Sequence, residues 1–189
     1  MNELDRTIYK FVAALDNLED GERAKFKRNA GQALNDSRDV LGLFYNKLLR
    51  DLSPSPWQEE TFFLVATLYP FDKRRKKQSN TPDETDQVDT EKSNTKKHTY
   101  SFGLSLRGVR NETNSNGLDR RVERLLDADE SQLPFYLRRE VQYVTNEGGS
   151  IDWLYLLKDL LNWGHADRYV QRNWARDYFT YQLKTESTN

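Results

Sequence analysis

The sequence predicts an all-α protein built as two small helical bundles joined by a polar, flexible loop. Three observations carry that prediction. Apolar residues recur at three- and four-residue spacing over most of the chain. Convincing strand alternation is absent. One long stretch in the middle keeps a single aliphatic residue. The bundles are expected over residues 1–71 and 100–189, with the loop over 72–99.

Each element follows from its own pattern. Leu4, Ile8, Phe11, Val12, Leu15 and Leu18 share one helical face. Gly21 follows, and a second helix is expected from Glu22 to about Leu34. Val40, Leu41, Phe44, Tyr45 and Leu48 mark a third. The run Leu52-Ser-Pro-Ser-Pro56 ends it, because proline lacks the donor and restricts its predecessor. Trp57 to Tyr69 reads as a largely apolar, buried helix. From Asp72 to Thr99 the only aliphatic residue is Val88, too little to offset the entropy of ordering. Helical patterning resumes at Tyr100. Leu118, Val122, Leu125 and Leu126 define a helix, and Leu133, Leu137, Val141 and Val144 another, stopped by Gly148-Gly149. Ile151 to Trp163 is next, ended by Gly164. A last helix is expected from His165 to Leu183. The four tryptophans, Trp57, Trp153, Trp163 and Trp174, fall at apolar-periodic positions and are expected in the core.

Composition narrows the function. Apolar residues make up 36% and charged residues 31%, so the surface is unusually charged. The net charge of −1 disfavours a generally basic coat, and any basic surface must come from sorting of charge within helices. With no cysteine, disulfides and thiolate metal sites are out. The charged N-terminus lacks a signal-peptide core, and no apolar run reaches the roughly 20 residues of a membrane helix. A cytoplasmic protein without membrane contact is expected. His98 and His165 stand far apart and, without cysteine, do not make a zinc site, and Gly103, Gly108 and Gly117 do not form a phosphate loop. No enzymatic activity and no cofactor or metal is expected.

Charge sorting is the informative feature. On the last helix Val170, Trp174, Tyr178 and Tyr181 fall on one face and Arg168, Arg172 and Arg176 on the opposite one. Like charges at this spacing cost roughly 0.2–0.5 kcal/mol per pair, so a helix built only for stability would alternate signs. Tyr169 and Phe179 flank the row, a mixture of rings and guanidinium groups that suits nucleic acid. On the Leu118 helix Arg120, Arg121 and Arg124 take one flank, and Asp119, Glu123 and Asp127 the other. Arg138 and Arg139 add a pair on the next helix. Of the twelve Lys and Arg after position 100, ten are arginine, whose planar fork matches phosphate. Arg23, Lys25, Lys27 and Arg28 cluster in the N-terminal half on a less clean wheel, and Lys73 to Lys77 form a basic run. For all of these a solvated face, or pairing with acids of another helix, stands beside phosphate contact.

The runs LDRRVERLLDADESQLPFYLRREVQYV, IDWLYLLKDLLNW and VQRNWARDYF resemble the small subunit of the type I-E CRISPR Cascade surveillance complex, the CasB family. GERAKFKRNAG, FFLVATLYPF and SFGLSLRGVR match in the same order. The resemblance spans nearly the whole chain except residues 72–99, where the polar loop is longer than the family leads one to expect, and the two tails. It implies a non-catalytic subunit of an antiviral ribonucleoprotein. Its implied partners are a second copy of itself, the crRNA-bound backbone subunits, the large subunit, the target and non-target DNA strands, and crRNA indirectly. It implies stabilisation of the R-loop by sequence-independent phosphate contacts at Arg23, Lys25, Lys27, Arg28, Arg107, Arg110, Arg120, Arg121, Arg124, Arg138, Arg139, Arg172 and Arg176. The competing expectation is a pure scaffold between crRNA backbone and large subunit, with no direct DNA contact.

Overall fold

The computed structural model describes residues 3–73 and 101–180. Helices are the only regular elements among the described residues. The expected loop over 72–99 lies almost entirely outside them, as do the basic run beyond Lys73, His98, Tyr181 and the expected helix end at Leu183.

Helix α1 (Glu3–Asp16) buries Ile8, Phe11, Val12 and Leu15, and carries Glu3 and Asp5 in its first turn, where negative charge complements the helix dipole. Helix α2 (Asp20–Arg28) opens with the Glu22 carboxylate accepting from the Glu19 backbone N–H at 2.8 Å. It stops at Asn29 and does not continue to Leu34 as expected. Gly31 lies at φ +78°, a left-handed turn that breaks the helix, and Leu34–Asp36 forms a separate 3₁₀ turn. Helix α3 (Arg38–Leu43) passes into a π turn (Phe44–Leu48) whose wider winding keeps both Phe44 and Leu48 buried.

Helix α4 (Pro56–Leu68) begins with proline at its first turn, and Gln58 Oε1 accepts from the Ser55 N–H at 2.8 Å. Every residue from Phe62 to Leu68 is buried. Trp57 is not: it is 65% exposed. The expectation of a core role for all four tryptophans is corrected there, because Trp57 lines an open groove with Gln32, Pro134 and Phe135.

Beyond the undescribed segment come α5 (Phe102–Gly108), α6 (Ser115–Asp127) and α7 (Leu133–Asn146). A left-handed Gly148 (φ +75°) ends α7 as the glycine pair predicted. Helix α8 (Trp153–Leu160) is capped by the Asp152 carboxylate, which accepts from the Leu154 and Tyr155 N–H groups at 3.1 Å. Helix α9 starts at Tyr169 and is described to Thr180. It starts four residues later than expected because Arg168 sits at φ +48°, outside helical conformation. Helix α5 crosses α9 so closely that a Cβ on Gly103 would lie 2.4 Å from the Trp174 carbonyl oxygen.

Each half has an aromatic cluster. Phe11 meets Phe62 edge-on at 4.7 Å, and Phe44 meets Phe63 at 5.3 Å. In the second half Trp174 packs against Phe102 at 5.2 Å and Trp163 at 5.1 Å. The clusters form one continuous core. Helix α8 lies against α1 and α4, and Tyr69 meets Trp153 at 5.1 Å. The Trp153 indole N–H donates to the Asp72 carboxylate at 3.0 Å, and Arg138 donates to the Ala30 carbonyl at 2.8 Å.

Candidate nucleic-acid interface

The basic residues singled out by sequence divide into two groups once their partners are known. In the first group the guanidinium is spent inside the molecule. Arg23, 9% exposed, donates to the carbonyls of Leu18 at 3.0 Å, Asp16 at 2.9 Å and Leu15 at 3.3 Å. It thereby satisfies carbonyls at the C-terminal end of α1, with its charge 5.6 Å from the Tyr69 ring. Arg110 grips Asp119 with two bonds of 2.8 and 2.9 Å. That fork holds the Asp119 carboxyl below the usual carboxylate range; burial opposes the shift, and the Tyr178 hydroxyl at 2.6 Å adds to it. Arg107, half-buried, contributes a further positive field on Asp119. Arg121 forks onto Glu140 at 2.9 and 2.6 Å and lies 4.3 Å from the Tyr143 ring. Glu140 is 1% exposed, so this pair is a seam between α6 and α7.

Arg138 and Arg168 are exposed but tethered, Arg138 to Ala30 and Arg168 to the Leu126 carbonyl. The expected row of three on the last helix is therefore a row of two, Arg172 and Arg176, with Arg168 in the turn before it.

The second group points outward. Arg120 and Arg124 on α6, Arg139 on α7, and Arg172 and Arg176 on α9 are exposed. None has a carboxylate within ion-pair distance among the described residues. Helical geometry places each pair opposite its helix's buried stripe: Leu118, Val122 and Leu125 on α6, and Val170, Trp174 and Tyr178 on α9. The Arg121–Glu140 pair sets α6 beside α7, the helix that carries exposed Arg139. Arg172 lines a shallow cleft with Leu126 and Asp127 of α6, so the α9 row borders the other flank of α6. Phe179, 45% exposed, shares the outward face with Arg172 and Arg176. On α2, Lys25 and Arg28 are exposed, and Lys27 rests its ammonium 4.8 Å from the Phe71 ring.

The sequence reading missed Glu140. Its signal was present: it falls on the apolar stripe of α7 among Leu137, Val141 and Val144, where a lone carboxylate needs a buried cation. Phe135, 67% exposed, was also missed. Among the described residues no three His, Asp or Glu side chains assemble as metal ligands, and no helix is long and apolar enough to cross a membrane. His165 is exposed and packs on Tyr169 at 5.1 Å.

The fold and this surface define a class: an all-helical chain with five arginines turned outward from three helices, in pairs on α6 and α9 and singly on α7. Residues 22–179 match the family of CRISPR-associated protein Cse2, and the chain belongs to that family. A curated relative, CRISPR-associated protein Cse2 of Thermus thermophilus, is 46% identical over 65 residues; the aligned stretch is 34% of this chain and 37% of that protein. The crystal structure of CasB from Thermus thermophilus superposes with a TM-score of 0.67 at 25% identity, covering 96% of this chain and all of the other. A chain of a solved CRISPR RNA-guided surveillance complex superposes with a TM-score of 0.70 at 22% identity over 92% of each chain, a likeness of fold.

Proposed function

We propose that the chain is a non-catalytic small subunit of a type I-E Cascade complex in the cytoplasm, where it contacts target and displaced DNA strands through arginine–phosphate bonds and stabilises the R-loop. The observation that carries this reading is the set of five outward arginines, Arg120, Arg124, Arg139, Arg172 and Arg176, without an acidic partner among the described residues. Lys25, Arg28 and the tethered Arg138 and Arg168 are its periphery. Arg23, Arg107, Arg110 and Arg121, buried or half-buried, hold the fold, while Lys27 is exposed beside Lys25 and Arg28 on α2. Other subunits of the complex, a second copy of the chain and, indirectly, crRNA are its partners.

The physical logic is one of small margins. Exchanging a DNA duplex for an RNA–DNA hybrid is nearly balanced, so modest backbone contacts tip it. Phosphate contacts carry no sequence information. A subunit that must serve every guide therefore gains from arginine on phosphate and loses nothing by lacking base-edge readout.

The double charge reversal Arg172→Glu/Arg176→Glu tests the reading in the reconstituted complex. Assembly should remain intact while R-loop lifetime on target DNA drops at least tenfold. Intact assembly with an unchanged lifetime would leave the pure scaffold as the better account. Incubating the purified chain with DNA and Mg²⁺ or Mn²⁺ should yield no cleavage products.

A further inference from the structure

The two most exposed large apolar side chains described, Trp57 and Phe135, line the same groove. It has a volume of about 730 Å³ and runs between the two halves of the molecule. Leu64 and Leu161 add apolar surface to it. Both aromatics sit in first turns that are fixed in place. Trp57 follows Pro56 in a helix start braced by the Ser55–Gln58 bond, and Phe135 follows Pro134 with its ring edge-on to Tyr136 at 5.3 Å. The backbone at both positions is pre-set, which lowers the ordering cost of binding. Monomers scatter single apolar residues over their surface; a Trp and a Phe sharing one groove mark a docking site.

The polar lining identifies the occupant. Glu60 and Glu130 both line the groove, and neither has a cation within ion-pair distance among the described residues. The Glu60 carboxylate accepts one bond from the Leu34 N–H at 3.1 Å, and Glu130 is exposed. No Lys or Arg lines this groove. The Glu60 carboxylate lines the groove with the aromatic pair, and Glu130, whose carboxylate lies against Gly164, adds negative charge; together they repel phosphate and attract a cation, which the indole face also favours.

We infer that this groove binds a protein segment of a neighbouring subunit that presents an apolar side chain next to lysine or arginine. The molecule is then two-sided, with arginines turned to nucleic acid and an acidic aromatic groove turned to protein. The inference rests on the proposed role as a subunit of an assembly.

The test uses the complete complex, reconstituted with guide RNA and the protein subunits of the same system. Trp57→Ala/Phe135→Ala should lower incorporation of the chain by roughly tenfold or more, as expected when two interface anchors are removed, with an unchanged circular dichroism spectrum. Glu60→Gln/Glu130→Gln should lower it less and flatten its dependence on salt. A benzoylphenylalanine in place of the exposed groove residue Gln32 should crosslink to a different protein subunit, within a few residues of a Lys or Arg. Crosslinks to nucleic acid, to a second copy of this chain or to nothing would overturn the inference, as would normal incorporation of the alanine variant. A wild-type chain that fails to enter the complex would sink the subunit reading, and this inference with it. Wild-type entry with equal entry of the alanine variant sinks the groove alone.

Discussion

Arg120 and Arg121 are neighbours on one helix and have opposite fates. Arg121 turns sideways into the seam between α6 and α7 and closes on a buried carboxylate. Arg120 turns outward and meets no acid among the described residues. The same contrast separates Arg110, forked onto Asp119, from Arg172 and Arg176. One residue of helical rotation decides whether a guanidinium holds the fold or faces a ligand. Seam and face should therefore respond to mutation in opposite ways.

The largest expected effect lies in the seam. Arg121→Ala leaves the Glu140 carboxyl unpaired in the core, which should cost about 3–5 kcal/mol of stability in urea unfolding. A loss below about 1 kcal/mol would show that the pair is not buried in solution. Arg23→Ala should follow, at about 2–3 kcal/mol, because a buried charged donor leaves three carbonyls.

The pH dependence should also come from buried contacts. Burial pushes the Asp159 carboxyl up to about 6; the Trp174 N–H, donating at 2.6 Å, opposes the shift, nearby Asp177 adds to it, and Lys158 opposes it. The folded state then holds a proton that the unfolded chain releases near 4, so this group favours folding at low pH and its contribution is lost as pH rises from about 4 to about 6. Asp159→Asn keeps an acceptor for Trp174 and removes the charge. It should stabilise the protein by on the order of 1–2 kcal/mol at pH 7.5 and by almost nothing at pH 4. Equal gains at both pH values would contradict the shift.

The smallest stability effect should be on the face. Arg120→Ala/Arg124→Ala should change unfolding free energy by no more than about 0.5 kcal/mol. The same variant should flatten the dependence of log affinity for duplex DNA on log salt by about 2, near 0.9 for each phosphate no longer neutralised. A full salt slope in that variant would place the DNA-binding surface elsewhere.

The helices were legible in the sequence because apolar spacing reports which side of each helix is dry: α1, α6 and α7 follow their stripes. Helix ends set by backbone conformation were less so. Gly31 ended α2 where the pattern ran on to Leu34, and the left-handed Arg168 carries no sequence signature. Trp57 was misread because periodicity cannot tell whether a neighbouring helix reaches the first turn. The interface was half legible. Sorting of charge showed which flanks carry arginine, but the split between Arg120 and Arg121 depends on Glu140, which lies 19 residues beyond Arg121 and meets it only after folding. A carboxylate within an apolar stripe is the clue to seek in such cases.

The contact of Trp153 with Tyr69 and Asp72 has a consequence for how the chain can be divided. Neither half owns a finished interior, since the indole that fills the first half's edge is supplied by the second. A protease cut between residues 74 and 100 severs the backbone and leaves that joint closed. The two fragments would behave as a split protein, holding together without a covalent link and melting in a single step, while either expressed alone would lack the partner that completes it.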